Sequence, residues 1–393
     1  MTNSDRRTNI ALVIFLSSLL ILVVYSYSQI DLNLTLSSNA FYQKIQQQLI
    51  TLGYFQRPLS TAIYLTLLLV LFSLQMFFIR QARLGKLKAL TVGKLAVASA
   101  AILIFAYPAF SHDIFNYMFD ARLLVTHRVN PWEFTALDFP QDLWTRFMRW
   151  THRTYPYGPL WLFVTTPFYI LGAGKFTLTL FWFKFLGAAS YLASVWFIKK
   201  ILKRTSPKNV AAGMVLFALN PLILIESLVS AHIDIVMAAL FLFAMYLVVV
   251  KKKRLAGWIA LLVSGAMKFV TIAAIPVWVW WRGERQRFEK ATIGMLLLLL
   301  LATGIAIVFR EPLPWYFITP LAVGALLPQR KVFVVFGVAL SMGMLLRYAP
   351  YLLRGDYSQW VRATRTIVTI APLALALFGV LWRKRTSSSS LSS

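Results

Sequence analysis

Ser111-His112-Asp113 opens a polar stretch that ends at Tyr155-Pro156-Tyr157-Gly158-Pro159, inside a chain that is otherwise apolar. The stretch holds Asp113, Asp120, Glu133, Asp138 and Asp142, five of the thirteen acidic residues in the sequence. Asp113 follows an apolar run by only a few residues, which places it at or just below a membrane surface. A carboxylate there is costly unless it is used. Its chemistry suits a general base that takes a proton from a substrate hydroxyl, with His112 beside it. Helix capping by Ser111 or Asp113 ahead of Ile114 is the structural alternative. Further along, Asn116 and Asp120 share a face by their i, i+4 spacing if 114–126 is helical, and Arg122 follows. Asp120 and Arg122 would contact substrate or form a surface pair. Tyr155 and Tyr157 sit in a rigid Pro-Tyr-Gly-Pro frame, and aromatic faces with hydroxyls suit a sugar. An interfacial anchor would use the same tyrosines.

Three more places carry polar groups among apolar runs. Glu226, His232 and Asp234 cluster where one run ends. His-x-Asp supplies two ligands of a divalent site, with Asp113 as a third candidate, but hydrogen bonding to a polar substrate is the simpler use. A magnesium or manganese ion stays open as a cofactor. Lys268 is read as the lysine in the middle of an apolar stretch, where it needs an anion: a lipid phosphate, or an Asp or Glu partner. Glu311, with Pro312, Trp315 and Tyr316, completes the set.

These groups need a scaffold, and composition defines it. Mean hydropathy is +0.69 and the apolar fraction is 59%, well above a soluble domain. The expected fold is all-α, a polytopic transmembrane helical bundle. Spans are expected at about 9–29, 59–79, 92–110, 176–198, 210–227, 234–250, 291–309, 331–347 and 365–382, with a shorter one at 313–328 between prolines. The first run lacks a convincing cleavage site and reads as a retained helix. With no cysteine, thiol chemistry and disulfides are excluded. The net charge of +27 is spread as short basic clusters between apolar runs. That is the positive-inside pattern rather than a nucleic-acid surface.

Segments 159–173 and 255–281 decide the topology. If both cross, there are twelve crossings and the clusters Lys199–Arg204 and Lys251–Arg254 fall outside. If both are re-entrant, there are ten crossings and every basic cluster stays in the cytoplasm. The second arrangement is preferred, with Gly265 and Pro276 as breaks. It unites loop 111–158, Glu226 to Asp234, and Glu311 on the extracytoplasmic face. Residues 1–385 form one transmembrane domain, and 386–393 a disordered Ser-rich cytoplasmic tail.

His112-Asp113-Ile-Phe-Asn-Tyr117 with Asp120-Ala-Arg122, Asn130-Pro131, Tyr155 to Trp161, Asn220-Pro221 with Glu226, His232-Ile-Asp234 and Met267-Lys268-Phe269 occur in this order over roughly 90–320. The set resembles the GT-C superfamily of integral-membrane glycosyltransferases, in particular the bacterial polyprenyl-phosphate-mannose-dependent mannosyltransferases. The resemblance implies a catalytic Asp113 and an outward-facing site. It implies a polyprenyl-phosphate sugar donor, with mannose or another hexose passing to a glycan, glycolipid or protein acceptor with inversion. Relatives usually carry a second acid close to the first, whereas Asp120 is seven residues on. Ile233 stands where Asn is common. A transporter or flippase of lipid-linked sugars, or a polysaccharide-assembly protein, is the rival reading.

Overall fold

The computed structural model describes residues 3–389, and among them there is helix but no strand. The chain runs α1 (Asn3–Ser26), α2 (Ala40–Ile50), α3 (Arg57–Arg83), α4 (Ala89–Leu103), α5 (Asp113–Arg122), α6 (Pro159–Leu171) and α7 (Phe176–Thr205). It continues through α8 (Val210–Ala218), α9 (Pro221–Leu224), α10 (Ile233–Val249), α11 (Arg254–Lys268), α12 (Ile275–Trp281) and α13 (Phe288–Phe309). The last helices are α14 (Ile318–Gly324), α15 (Lys331–Leu346), α16 (Ala349–Arg354) and α17 (Gln359–Ser389). Helix α17 takes in the first residues of the Ser-rich tail, and 390–393 lie outside the described residues.

Among the described residues six helices are long and apolar enough to cross a membrane, and a bent pair makes a seventh. The bend, 53° between Pro207–Ala218 and Pro221–Val229, falls inside the expected span 210–227. Pro221 lacks the amide that would continue the helix, and the Asn220 side chain accepts from Leu222 N at 2.9 Å to start the next one. The expected span 92–110 is helical only to Leu103, because Pro108 disfavours helix in the residue before it. Shorter apolar helices are Ala89–Leu103, Pro159–Leu171, Ile233–Val249 and Val270–Trp281. Together these make a multi-pass membrane protein. Helix α10 is apolar all round and nearly all buried, as a central helix should be. Helix α17 instead exposes Ile367, Ile370, Leu375 and Phe378, as a lipid-facing helix does.

Contacts sort the helix ends into two sets. At one end Arg83 Nη2 donates to the Pro328 carbonyl at 3.1 Å, Arg330 pairs with Glu289, and Gly283 lies against Val248 and Arg254. At the other, Arg57 meets the Leu352 carbonyl at 3.5 Å and Tyr27 Oη donates to the Phe105 carbonyl at 2.7 Å. Segment 254–283 starts and finishes in the first set, so α11 and α12 form a hairpin. Phe269 turns its tip at φ 61°. Helix α6 lies along α5: Trp161 packs on Tyr117, ring centroids 5.3 Å apart, and Tyr169 Oη meets Arg122 at 3.1 Å.

A second lysine sits inside a span. Lys184, on α7, is 2% exposed and donates to the carbonyls of Ala106 and Val229. The reading of Lys268 as the one such lysine overlooked it. Lys184 ties α7 to the chain after α4 and to the turn that carries Glu226.

Candidate active site

Asp113 is the first residue of α5, where the helix dipole favours an anion. Ser111 Oγ accepts from its backbone N–H at 3.3 Å, the N-cap residue is His112 without a side-chain cap, and the Asp113 carboxylate is not engaged in capping. Asp113 Oδ1 accepts from Trp150 Nε1 at 3.3 Å, and Oδ2 lies 3.6 Å from His232 Nδ1. The imidazole beside Asp113 is therefore His232, not its neighbour in sequence. His112 Nδ1 accepts from Arg149 Nε at 3.0 Å, and Arg149 Nη2 reaches Asp31 at 3.0 Å. Burial, with Arg149 adding to it, pushes the His112 imidazole down to about 4. Neutral His112 thus anchors the outer loops to each other.

His232 is sealed. Its Nε2 lies 3.3 Å from Glu226 Oε2, and its ring stacks on Trp315 at 3.8 Å and 15°. Glu226 sits on a π-helical turn, Ile225–Val229, a device that recurs at functional sites. Its Oε1 accepts from Tyr348 Oη at 2.9 Å. The side chains of His232 and Glu226 are 0% exposed, whereas that of Asp113 is 14% exposed. Of these three side chains only that of Asp113 is open to solvent, with His232 and Glu226 buried behind it. Burial pushes the Asp113 carboxyl up from 3.8 to about 6, with Lys268 opposing. A base of that strength is ionised near neutral pH and still accepts a proton readily.

Asp234 and Lys268 make the other half. Lys268 Nζ donates to both Asp234 oxygens, at 2.9 and 3.0 Å, and lies 4.7 Å from the Tyr316 ring centroid. Lys268 thus has the carboxylate partner. Asp113, His232 and Asp234 do not converge as a metal site, because Asp234 is turned to the lysine. Among the described residues no three His, Asp or Glu side chains are grouped to hold a metal ion.

The Tyr155–Pro159 frame is positioned by backbone contact. A Cβ on Gly158 would stand 2.3 Å from the Ala266 carbonyl oxygen, so only glycine lets the frame dock on α11 beside Lys268. Tyr155 Oη donates to the Gly158 carbonyl at 2.8 Å, closing the turn. Tyr157 then faces Tyr117 at 5.4 Å, one turn after Asp113. Asn116 Nδ2 donates to the Trp150 carbonyl at 3.2 Å, which holds the tryptophan that bonds Asp113.

The structure therefore brings together Asp113, Tyr117, Tyr157, Glu226, His232, Asp234 and Lys268. It leaves Arg122 at the far end of α5, on the order of 14 Å along the helix. Arg122 pairs there with Asp142 at 2.5 Å and lies 4.5 Å from the Trp144 ring centroid. It lines a 570 Å³ cavity with His127, Phe139 and Trp144. Asp120 is buried with Oδ2 unpartnered. Glu311 pairs with Arg347 at 3.4 Å and Arg365 at 3.1 Å. Sequence reasoning missed Trp150, Tyr348, Arg347 and Arg365. The two arginines did carry a signal: each stands at the end of an expected apolar span, 331–347 and 365–382, rather than in one of the basic clusters between spans.

The site and scaffold define a polytopic helical membrane protein with a carboxylate–imidazole–carboxylate array under a long loop. Residues 16–283 match the family model described as the N-terminal domain of alpha-(1->6)-mannopyranosyltransferase, and the chain belongs to that family. It is 25% identical over 318 residues to alpha-(1->6)-mannopyranosyltransferase A of Mycobacterium tuberculosis, covering 78% of this chain and 60% of the relative. It is 26% identical over 179 residues to the protein of the same name from Corynebacterium glutamicum, covering 45% of this chain and 36% of the relative. The chain thus spans less than two thirds of either relative. No solved structure matches it.

Proposed function

We propose that the protein is a mannosyltransferase that moves mannose from a polyprenyl-phosphate donor to a glycan or glycolipid acceptor at the extracytoplasmic face, forming an α-(1→6) bond with inversion. The observation that carries this is Asp113, the one exposed member of the buried array, backed by His232 at 3.6 Å and flanked by Tyr117 and Tyr157. The acceptor hydroxyl oxygen attacks the anomeric carbon as the bond to the phosphate oxygen breaks. The proton goes to Asp113 and the electron pair leaves with the lipid phosphate. An α-linkage made by inversion requires a β-linked donor. Membership of the family supports the sugar.

Ten crossings, with α11–α12 re-entrant and α6 lying beside α5, is the topology we favour. It puts every basic cluster between spans in the cytoplasm and the array outside. The cavity at Arg122 suits the acceptor chain, because aromatic faces and charged hydrogen-bonding groups line it together.

The test is a donor screen on purified protein, with mannose on polyprenyl phosphate against nucleotide-linked mannose and an α-mannoside acceptor. Transfer from the lipid donor alone is expected. No transfer, with lipid-linked sugar crossing a vesicle bilayer instead, would favour the flippase reading.

A further inference from the structure

The phosphate that leaves in such a reaction is an anion, and the array is a poor host for it. Asp113, Glu226 and Asp234 stand against Lys268, and Lys268 is bonded to both oxygens of Asp234. Positive charge is in excess on another side of the same site. Arg347 and Arg365 are 6% and 9% exposed, and both direct an Nη2 at one oxygen, Oε2 of Glu311. Two guanidinium groups thus share one carboxylate. Arg347 Nε, Arg365 Nε and Arg365 Nη1 are buried with no hydrogen-bond partner. Unpaired charged donors in a buried place are costly, and a tetrahedral anion with several acceptor oxygens would satisfy them. The Glu311 side chain is 55% exposed and so can swing away.

Three connections tie this pair to the array. Tyr348, next to Arg347, bonds Glu226 at 2.9 Å. Trp315, four residues after Glu311, stacks on His232. Arg365 lies on α17, whose apolar face is open to lipid, so an anion with a long hydrocarbon tail could reach the pair from the bilayer.

We propose that Arg347 and Arg365 are the seat of the lipid donor's phosphate, and that Glu311 is the carboxylate this phosphate displaces. The proposal rests on the mannosyltransferase reading for the identity of the ligand. It deepens that reading by moving the phosphate from Lys268 to residues beyond the matched region 16–283. Arginine suits the task because its planar fork grips phosphate through two N–H groups at once.

The experiment measures binding, not turnover. Full-length protein in phosphatidylcholine nanodiscs is titrated with a short-chain polyprenyl phosphate that carries no sugar, and in a second arm with phosphatidylglycerol. Arg347→Gln and Arg365→Gln should each weaken polyprenyl phosphate binding roughly tenfold to a hundredfold, as loss of charged hydrogen bonds does. Glu311→Gln should tighten it several-fold, a direction that misfolding cannot mimic. Unchanged affinity in both arginine variants, or weaker binding in Glu311→Gln, would overturn the seat. Equal competition by phosphatidylglycerol would overturn its assignment to the donor. Arginine-dependent binding without any mannose transfer would leave the seat standing and sink the mannosyltransferase reading. Transfer with an unchanged donor KM in both arginine variants would do the reverse.

Discussion

Asp113→Asn tests the reaction at its centre. Asparagine keeps the shape of the side chain, and its Oδ1 still accepts from Trp150 Nε1, now 3.3 Å away. The charge facing His232 Nδ1 at 3.6 Å is lost, and so is the ability to take a proton. Losing a general base costs about 10²–10⁴ in rate, or about 2.7–5.4 kcal/mol at 1.36 kcal/mol per decade. Stability should hold or rise, because one of three neighbouring carboxylates loses its charge while Lys268 keeps Asp234. The pH profile adds a second readout. Burial lifts the Asp113 carboxyl to about 6, and the base works only when ionised. Wild-type kcat/KM should therefore fall as pH drops through about 6, with no such limb in the residual activity of the variant. The assay is mannose transfer from the lipid donor across pH 5–8, beside melting curves in the same detergent. Turnover within about threefold of wild type would remove Asp113 from the mechanism. A loss of turnover that tracks a loss of melting temperature would refute the chemical role equally.

Lys268→Met should destabilise the protein by about 3–5 kcal/mol, since it strands Asp234 as a buried unpaired charge; a melting temperature regained on adding Asp234→Leu would check that the pair is the cause. Gly158→Ala should lower both stability and kcat, by about 1–3 kcal/mol in stability, because its Cβ meets a carbonyl at 2.3 Å; thermal melts and transfer rates would show it. A single cysteine at Lys252 should resist an impermeant thiol reagent outside intact cells, and one at Asp138 should react. Labelling at 252 would break the ten-crossing arrangement. His232 cannot serve as a labelling position, since it is fully buried.

The helical class was legible in the long apolar runs. Of the ten expected spans, however, only six helices, or seven with the bent pair, are long and apolar enough to cross among the described residues, because prolines and short segments such as Ala89–Leu103 and Ile233–Val249 break or shorten the rest. The hairpin of 255–281 was partly legible, since Gly265 and Pro276 mark breaks within it, and its two ends do meet, with Gly283 against Arg254. What sequence could not show is which groups meet across distant elements. His112 is adjacent to Asp113 in the chain, yet its ring is turned to Arg149. His232, 119 residues further on, reaches Asp113 from the turn that follows the π-helical segment, where its backbone N–H donates to the Glu226 carbonyl at 3.0 Å and its ring stacks on Trp315. The ion pair of Lys268 stayed open between phosphate and carboxylate, and only packing of α10 against α11 decides it. Arg347 and Arg365 are single basic residues 18 positions apart at the ends of two apolar runs, and only the packing of α15 against α17 brings them to one carboxylate.

The pair Asp234–Lys268 bears on biogenesis as well as on the site. A lysine or an aspartate buried among membrane helices is costly unless it is paired. Asp234 precedes Lys268 in synthesis and lies on the neighbouring helix, 2.9 Å away. Helix α10 would wait with an unpaired acid until α11 arrives, and α11 with an unpaired base without α10. The two are therefore expected to leave the translocon as one unit, with the charges cancelled before either helix meets lipid alone. A released chain truncated before Lys268 should then fail to hold α10 stably in the bilayer, and one truncated after Trp281 should hold it.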